Sequence, residues 1–429
     1  MDKPIEIEIS EWMDEWQDKK IYRGKSIREL FFYHDVPLWW FIRPLIMYPT
    51  LKAVVKSIKD GGEPAKPALN KAKIFWVATR SRYKENQRAS LGRNSIKKNE
   101  SYGNKLKICA LTITGAWKPY FDPVHGMTRG DSLLGPVLNE IKKKDCQLFC
   151  VDVDYTHDLN IKIVKEKIKA GHIPIETYLT KEGRDRASKA TKQIKKFWKG
   201  LKNELEFMES FVYNNTNIWH YLRHRLDLIF SEYYLYRFVK AIEAMSAMIE
   251  KEKPDAILAS QETGQYCLAA LYLARKLAIP VIGLQHAVIA PTNPDYLSKT
   301  SQYGNLDCPV VDKIAVYGTA TKKVLVKNGY SSSAVAITGQ PRYDILLKEK
   351  DLFDKESFCG KYGVDPKKKI FVLMTQVLGS EEERSAFLRN MLRVLKKFPE
   401  LQIVVKPKAL EEWHKQVVKE ESASAIVLP

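Results

Sequence analysis

The chain has 429 residues, 45% hydrophobic and 11% aromatic, which excludes a low-complexity polymer and is too long for one ordinary core. Lys and Arg number 70 against 51 Asp and Glu, a formal net charge of +19. That excess points to phosphate-bearing or other polyanionic partners, or else to a solvated basic surface.

The first sixteen residues are acidic and mixed, unlike a signal peptide. Residues 1–70 read as a helical, aromatic-rich extension. Within it Leu38-Trp39-Trp40-Phe41-Ile42 lies in a stretch broken by Arg43, Pro44, Pro49 and Lys52, short of the ~20 apolar residues of a membrane span. Packing on the main body is expected, with a membrane-interface role as the alternative. Lys73 to Thr79 reads as a strand and the basic, polar Arg80–Asn104 as an exposed loop.

Alternation of strands and helices starts at Leu106. Lys107–Ile113 reads as a strand, Thr114–Gly130 as a Gly/Pro-rich loop, and Asp131 or Ser132 as the cap of a helix to Lys143. Gln147–Val153 is the next strand. His157–Gly200 is basic and amphipathic, and Trp219–Lys251 has the apolar spacing of one long helix. The pattern then becomes regular. Strands are expected at Asp255–Ala259, Pro280–Leu284, Lys313–Tyr317 and Val335–Thr338, with helices at Gly264–Leu277 and Thr319–Asn328. Such alternation implies a parallel sheet covered on both faces. After Asp344 a second unit shows strands at Lys369–Met374, Leu401–Val405 and Ile426–Leu428, with a helix at Ser380–Lys397. The expected domains are therefore 1–70, 105–344 and 345–429.

In parallel sheets ligands bind at the carboxyl ends of strands, and the polar residues there are the candidates. His286 follows the run Ala278–Ile282 and suits proton transfer near neutral pH, with Gln285 beside it. Its other reading is a buried imidazole that holds a loop. Glu262 is a base, a sugar-hydroxyl partner or a helix cap. Gly264, and Gly318 with Thr319, open helices whose free N–H groups suit an anion. On the loop after the first strand, Trp117 could stack on a sugar, and Asp122 and His125 could hold or deprotonate a hydroxyl. The alternative there is an aromatic plug. Arg342 either pairs with Asp344 or meets a phosphate, and Lys406 ends a strand of the second unit. The six cysteines, at 109, 146, 150, 267, 308 and 359, show no paired metal spacing and read as free thiols of a reducing cytoplasm. Walker, GxGxxG, HExxH and GxSxG signatures do not occur.

The runs "PDAILASQE" (254–262), "GLQHAVI" (283–289), "DKIAVYGTATKKVLVKNGY" (312–330) and "ITGQPRYD" (337–344) resemble GT-B-type surface and capsule polysaccharide biosynthesis proteins. That group includes CDP-glycerol glycerophosphotransferases and UDP-N-acetylglucosamine 2-epimerase-like proteins. The resemblance implies an α/β, GT-B-like fold with two Rossmann-like parallel-sheet domains facing a cleft, the acceptor on the first and the nucleotide donor on the second. His286 matches a strand-end base, although Ala287 replaces the usual Gly. Lys406-Pro407-Lys408-Ala409 stands where Lys-Pro-His-Pro is common. A donor-gripping loop would lie past Pro429, so the second domain reads as truncated.

The resulting expectation is an inverting glycosyl- or glycerophospho-transferase of cell-envelope polysaccharide assembly. His286 would be its base, with Lys406 and the helix starts at the leaving phosphate. No metal or cofactor is expected. The donor would be a nucleotide sugar or a CDP-glycerol-type molecule, and the acceptor a glycan or polyprenyl-linked glycan. The location would be cytoplasmic, on or near an anionic membrane face. Alternatives are a UDP-sugar 2-epimerase and a non-catalytic sugar-nucleotide or glycan binder. Nucleic acid, suggested by charge alone, lacks a recognition module.

Overall fold

Seven short runs rich in Val, Ile, Leu and Ala become the strands of one parallel sheet. They are β1 (Leu106–Ile113), β2 (Cys146–Val153), β3 (His172–Pro174), β4 (Ala256–Ala259), β5 (Val281–Leu284), β6 (Lys313–Val316) and β7 (Val335–Ile337). Their spatial order is β7-β6-β5-β4-β1-β2-β3, every neighbour parallel. The chain winds outward from β1 to β3, returns, and winds the other way from β4 to β7. This is a doubly wound sheet whose order reverses between β1 and β4, the place where such sheets form a crevice at their carboxyl edge. The computed structural model describes residues 3–46, 50–62, 71–96, 105–122, 126–153, 160–297, 310–348, 354–376, 379–408, 411–421 and 424–429.

The chain divides into two units, Met1–Arg342 and Tyr343–Pro429. The second is built on β8 (Lys369–Met374), β9 (Leu401–Lys406) and β10 (Ile426–Val427), again all parallel. Leu373, Ile403 and Val405 from its strands pack with Leu388, Leu392, Val417 and Val418 from its helices.

The first unit includes the N-terminal segment, whose aromatic residues share the main core. Trp16, Trp39, Phe41 and Ile42 are buried with sheet residues such as Leu111 and Val151. Trp39 donates from Nε1 to Gln17 Oε1 at 2.7 Å, and the buried Arg43 reaches Asp14 at 2.8 Å. Packing on the main body accounts for the aromatic run. Among the described residues no helix is long and apolar enough to cross a membrane.

The structure departs from expectation where polar sequence is folded inward. The strand expected at Lys73–Thr79 and most of the expected loop Arg80–Asn104 form one helix, Lys71–Ile96; residues 97–104 lie outside the described residues. Its charges looked solvent-facing, but Arg88 is only 1% exposed because buried carboxylates meet it. The expected loop Thr114–Gly130 contains an antiparallel hairpin, Trp117–Asp122 against Gly126–Asp131. The long helix Trp219–Lys251 is two, Trp219–Ile229 and Glu232–Glu252, parted where Ser231 takes an extended N-cap conformation. The region His157–Gly200 holds a helix, the strand β3 and a second helix, Lys181–Leu201.

Gly92 fixes how closely the helix Lys71–Ile96 approaches the segment after β3. A Cβ there would lie 2.1 Å from Thr177 Oγ1 and 2.9 Å from Pro174 Cδ. Thr177 can rotate, but the proline ring cannot. Gly to Ala ordinarily gains up to ~1 kcal/mol in a helix. Here overpacking of about 1–3 kcal/mol should exceed that gain. Gly92→Ala should therefore lower the urea midpoint of unfolding, and a raised midpoint would contradict the close packing.

Candidate functional site

Parallel pairing sets the site. The last registered pair of β4 and β5 is Ala259↔Gly283. Glu262 follows Ala259 by three residues, and His286 follows Gly283 by three, so the two candidate side chains follow neighbouring strands at matching positions. Gly283 leaves room for the segment that leads into β6. A Cβ there would meet Val311 Cγ2 at 3.1 Å and Cγ1 at 3.3 Å.

Glu262 is 1% exposed. Its Oε1 accepts a hydrogen bond from the Tyr296 hydroxyl at 2.6 Å, while Oε2 is enclosed and has no partner. Burial pushes the Tyr296 phenol far above its ordinary range, and the nearby Glu262 adds to the shift, so this hydroxyl stays a donor. Ser260, just past β4, is buried with an enclosed, unpartnered Oγ. His286 is half-buried; its Nδ1 is enclosed without a partner, whereas Nε2 is not among the enclosed atoms. Buried polar groups in folded proteins almost always have partners. At the ends of these two adjacent strands, Ser260 Oγ, Glu262 Oε2 and His286 Nδ1 are thus three enclosed polar atoms without a protein partner.

Gln285 holds this edge together. Its Oε1 accepts from the Tyr317 backbone N–H at 2.8 Å, and its Nε2 donates to the Ala287 carbonyl at 2.8 Å. The amide thus ties the loop after β5 to the end of β6 and fixes the backbone on both sides of His286. Expected as a substrate contact, Gln285 instead uses both ends of its amide on the protein. Gln340 Nε2 extends the tie to the Tyr317 hydroxyl at 2.5 Å. The helices after β4 and β6, Gln265–Lys276 and Thr319–Lys327, have Gly264 and Gly318 as N-caps and no side-chain cap bond. A Cβ at Gly318 would meet nothing within 4 Å, so that helix start is open. Thr319 is exposed, and Arg342 is half-buried in the turn after β7.

The other half of the edge, past β1, β2 and β3, is closed by buried charge. Arg88 pairs with Asp152 at 3.0 Å and Glu176 at 2.9 Å. Lys167 pairs with Asp152 and donates to Thr112 Oγ1 at 3.2 Å, and Thr112 Oγ1 lies 3.0 Å from His172 Nδ1. Burial alone would raise the Asp152 pKa, but Lys167 and Arg88 override it and hold the carboxyl below its usual range. Burial, with Lys167, pushes the His172 pKa down to about 3. Trp117 belongs to this closed half. It is buried, 5.2 Å from the His172 ring and 5.6 Å from Lys167 Nζ, and its Nε1 donates to Glu166 at 3.1 Å. It offers no open face for stacking on a sugar. Asp122 is buried too and accepts from Asn139. His125 lies outside the described residues.

Lys406 is in the second unit, where its Nζ donates to the Pro429 carbonyl. Among the described residues no group of three or more His, Cys, Asp or Glu could hold a metal ion. Ser260 and Tyr296 were missed by sequence reasoning. A serine ending an apolar strand signals the first; no spacing rule signals the second. Asp152, a lone charge in Cys150-Val151-Asp152-Val153, signals the buried network, since a charge in a covered strand must be paired.

No protein-family model matches the chain, and no curated protein does. Solved structures similar to it include the UDP-GlcNAc 2-epimerase from Neisseria meningitidis bound to UDP-GlcNAc, at 12% identity over 75% of this chain and 72% of that one, TM-score 0.42. The UDP-N-acetylglucosamine 2-epimerase from Rickettsia bellii shows 16% identity, 76% and 69% coverage, and TM-score 0.39. The lipopolysaccharide outer core galactosyltransferase WaaB, in its apo form, shows 8% identity, 75% and 67% coverage, and TM-score 0.35.

Two measurements check these assignments. Gln285→Ala leaves the Tyr317 N–H without its acceptor and should cost about 1–3 kcal/mol in urea unfolding; an unchanged midpoint would contradict the tie. His172 is held neutral in the fold, with a pKa lowered to about 3, so protonation favours the unfolded chain as pH falls from ~6.5. Relative to His172→Gln, the natural chain should lose about 2 kcal/mol of stability between pH 7 and pH 5. Parallel pH profiles for the two would contradict it.

Proposed function

We propose that the chain is a transferase using a nucleotide-activated donor, with His286 as the base that activates an acceptor hydroxyl. The observation behind this reading is that Glu262 and His286 each lie three residues past the paired Ala259 and Gly283, each with an enclosed polar atom that lacks a partner. The sequence runs around both residues, which resemble polysaccharide biosynthesis proteins, give the chemical class.

In this reading His286 Nε2 takes the proton of the acceptor hydroxyl as its oxygen attacks the donor. The bond to the nucleotide's phosphate group breaks, and the negative charge that develops is met by the first turns of the helices that follow Gly264 and Gly318. Glu262 accepts a hydrogen bond from an acceptor hydroxyl at Oε2 and stays oriented by Tyr296 at Oε1. Arg342 is a further contact for the donor's phosphates, and in this reading the product belongs to cell-surface polysaccharide assembly.

The test is nucleotide release from UDP-, CDP- and GDP-activated donors, run beside calorimetric titration with the same donors. His286→Ala should lower turnover by about 10²–10⁴-fold, the range for loss of a general base, with donor affinity kept within about threefold. A variant that turns over at the natural rate would remove His286 from the chemistry. Donor binding without turnover in the natural chain would favour a binding protein, and release of an epimerised donor sugar an epimerase.

A further inference from the structure

A cavity of about 310 Å³ opens between three helices of the first unit. Its walls come from the helix Lys71–Ile96, the helix Lys181–Leu201 and the start of the helix Glu232–Glu252. None of its residues belongs to the β4–β5 edge, and no step assigned to His286 uses it.

The charges around this cavity do not balance. Arg82, Lys195 and Arg237 line it, opposed by Glu85 and Glu232. Glu85 is paired with the buried Lys240. Glu232 alone is left for two cations, Arg82 at 3.4 Å and Lys195 at 3.8 Å, both long contacts of little strength. Arg237 has no carboxylate partner among the described residues; its Nη1 donates to the Tyr233 hydroxyl at 3.1 Å. The 21-residue helix that begins at Glu232 adds the positive end of its dipole at the same place. Its N-cap, Ser231, makes no side-chain cap bond, and the Ser231 Oγ is enclosed without a partner.

The walls are also aromatic. Tyr233 and Tyr236 are half-buried, and burial raises both phenols above their ordinary range, so both are neutral donors at pH 7. Surplus cations, an orphan hydroxyl and a helix start select an anion with several acceptor oxygens. Flat, partly apolar walls select a body attached to it.

We propose that this cavity binds an organic phosphate, its phosphate or diphosphate head on Arg82, Lys195, Arg237 and Ser231 and its flat or apolar body against Tyr233 and Tyr236. The proposal stands whether or not His286 is a base. A nucleotide and a lipid phosphate share this chemistry, and the test separates them.

The full chain is titrated calorimetrically at low salt with UMP, octyl phosphate and inorganic phosphate. One organic phosphate should bind more tightly than inorganic phosphate. Arg237→Gln and Lys195→Gln should each weaken that binding about tenfold, the loss of one charge-assisted contact, while His286→Ala leaves it unchanged. Preference for UMP assigns a nucleotide, and preference for octyl phosphate a lipid phosphate. Circular dichroism checks the fold of each variant. If Arg237→Gln fails to fold, Lys195→Gln decides, since that side chain is 39% exposed. Binding no tighter than inorganic phosphate would overturn the proposal. So would an isotherm for the preferred organic phosphate that is unaltered in both cavity variants.

Discussion

The register between β4 and β5 is the constraint on which the site depends. Ala259 faces Gly283, where a Cβ would crowd the Val311 methyls at 3.1 Å and 3.3 Å. From that pairing the chain has only three residues on each strand in which to reach Glu262 and His286. A slip of one residue would send either side chain to the opposite face of the sheet. The Gln285 amide, bonded on both sides of the loop, adds the local stiffness that a three-residue reach needs.

The same carboxyl edge serves two purposes. Its β1–β3 half is sealed by Arg88, Lys167, Asp152 and Glu176, four buried charges paired with one another. Such a network adds little net stability against an apolar core, but removing one member leaves an unmatched charge. Its β4–β5 part keeps enclosed polar atoms without protein partners at Ser260, Glu262 and His286. The contrast lies in charge, because the β1–β3 half holds a paired ionic network, while each half keeps enclosed polar atoms without partners, Thr177 Oγ1 past β3 and Glu262 Oε2 past β4 among them.

Regular alternation of apolar strands and helices made six of the sheet's seven strands legible from Leu106 onward, but not β3, which lies in a stretch read only as basic and amphipathic. β8 coincides with the expected Lys369–Met374, and β4 to β7 fall within a residue of expectation at each end. What escaped was sequence whose polarity misleads. The helix Lys71–Ile96 looked like a loop because Lys and Arg dominate it, yet Arg88 is neutralised inside the protein. The hairpin Trp117–Asp131 looked like an open binding loop because Trp, Tyr, Asp and Gly are also what sugar sites use. The positions of His286 and Glu262 at strand ends followed from the apolar runs before them. The role of Gln285 did not, because both its partners are backbone groups of separate loops, and no side-chain pattern announces them.

The most direct measurement of the central claim is the imidazole ¹⁵N spectrum of His286, followed as the chain is saturated with a nucleotide-activated donor and then with an acceptor hydroxyl compound. If the enclosed ring edge completes a ligand site, at least one of its two nitrogen resonances moves on saturation, and the movement vanishes in His286→Gln. If saturating ligand leaves both nitrogens where they were, the ring is not at the site, and the account built on the β4–β5 edge is contradicted.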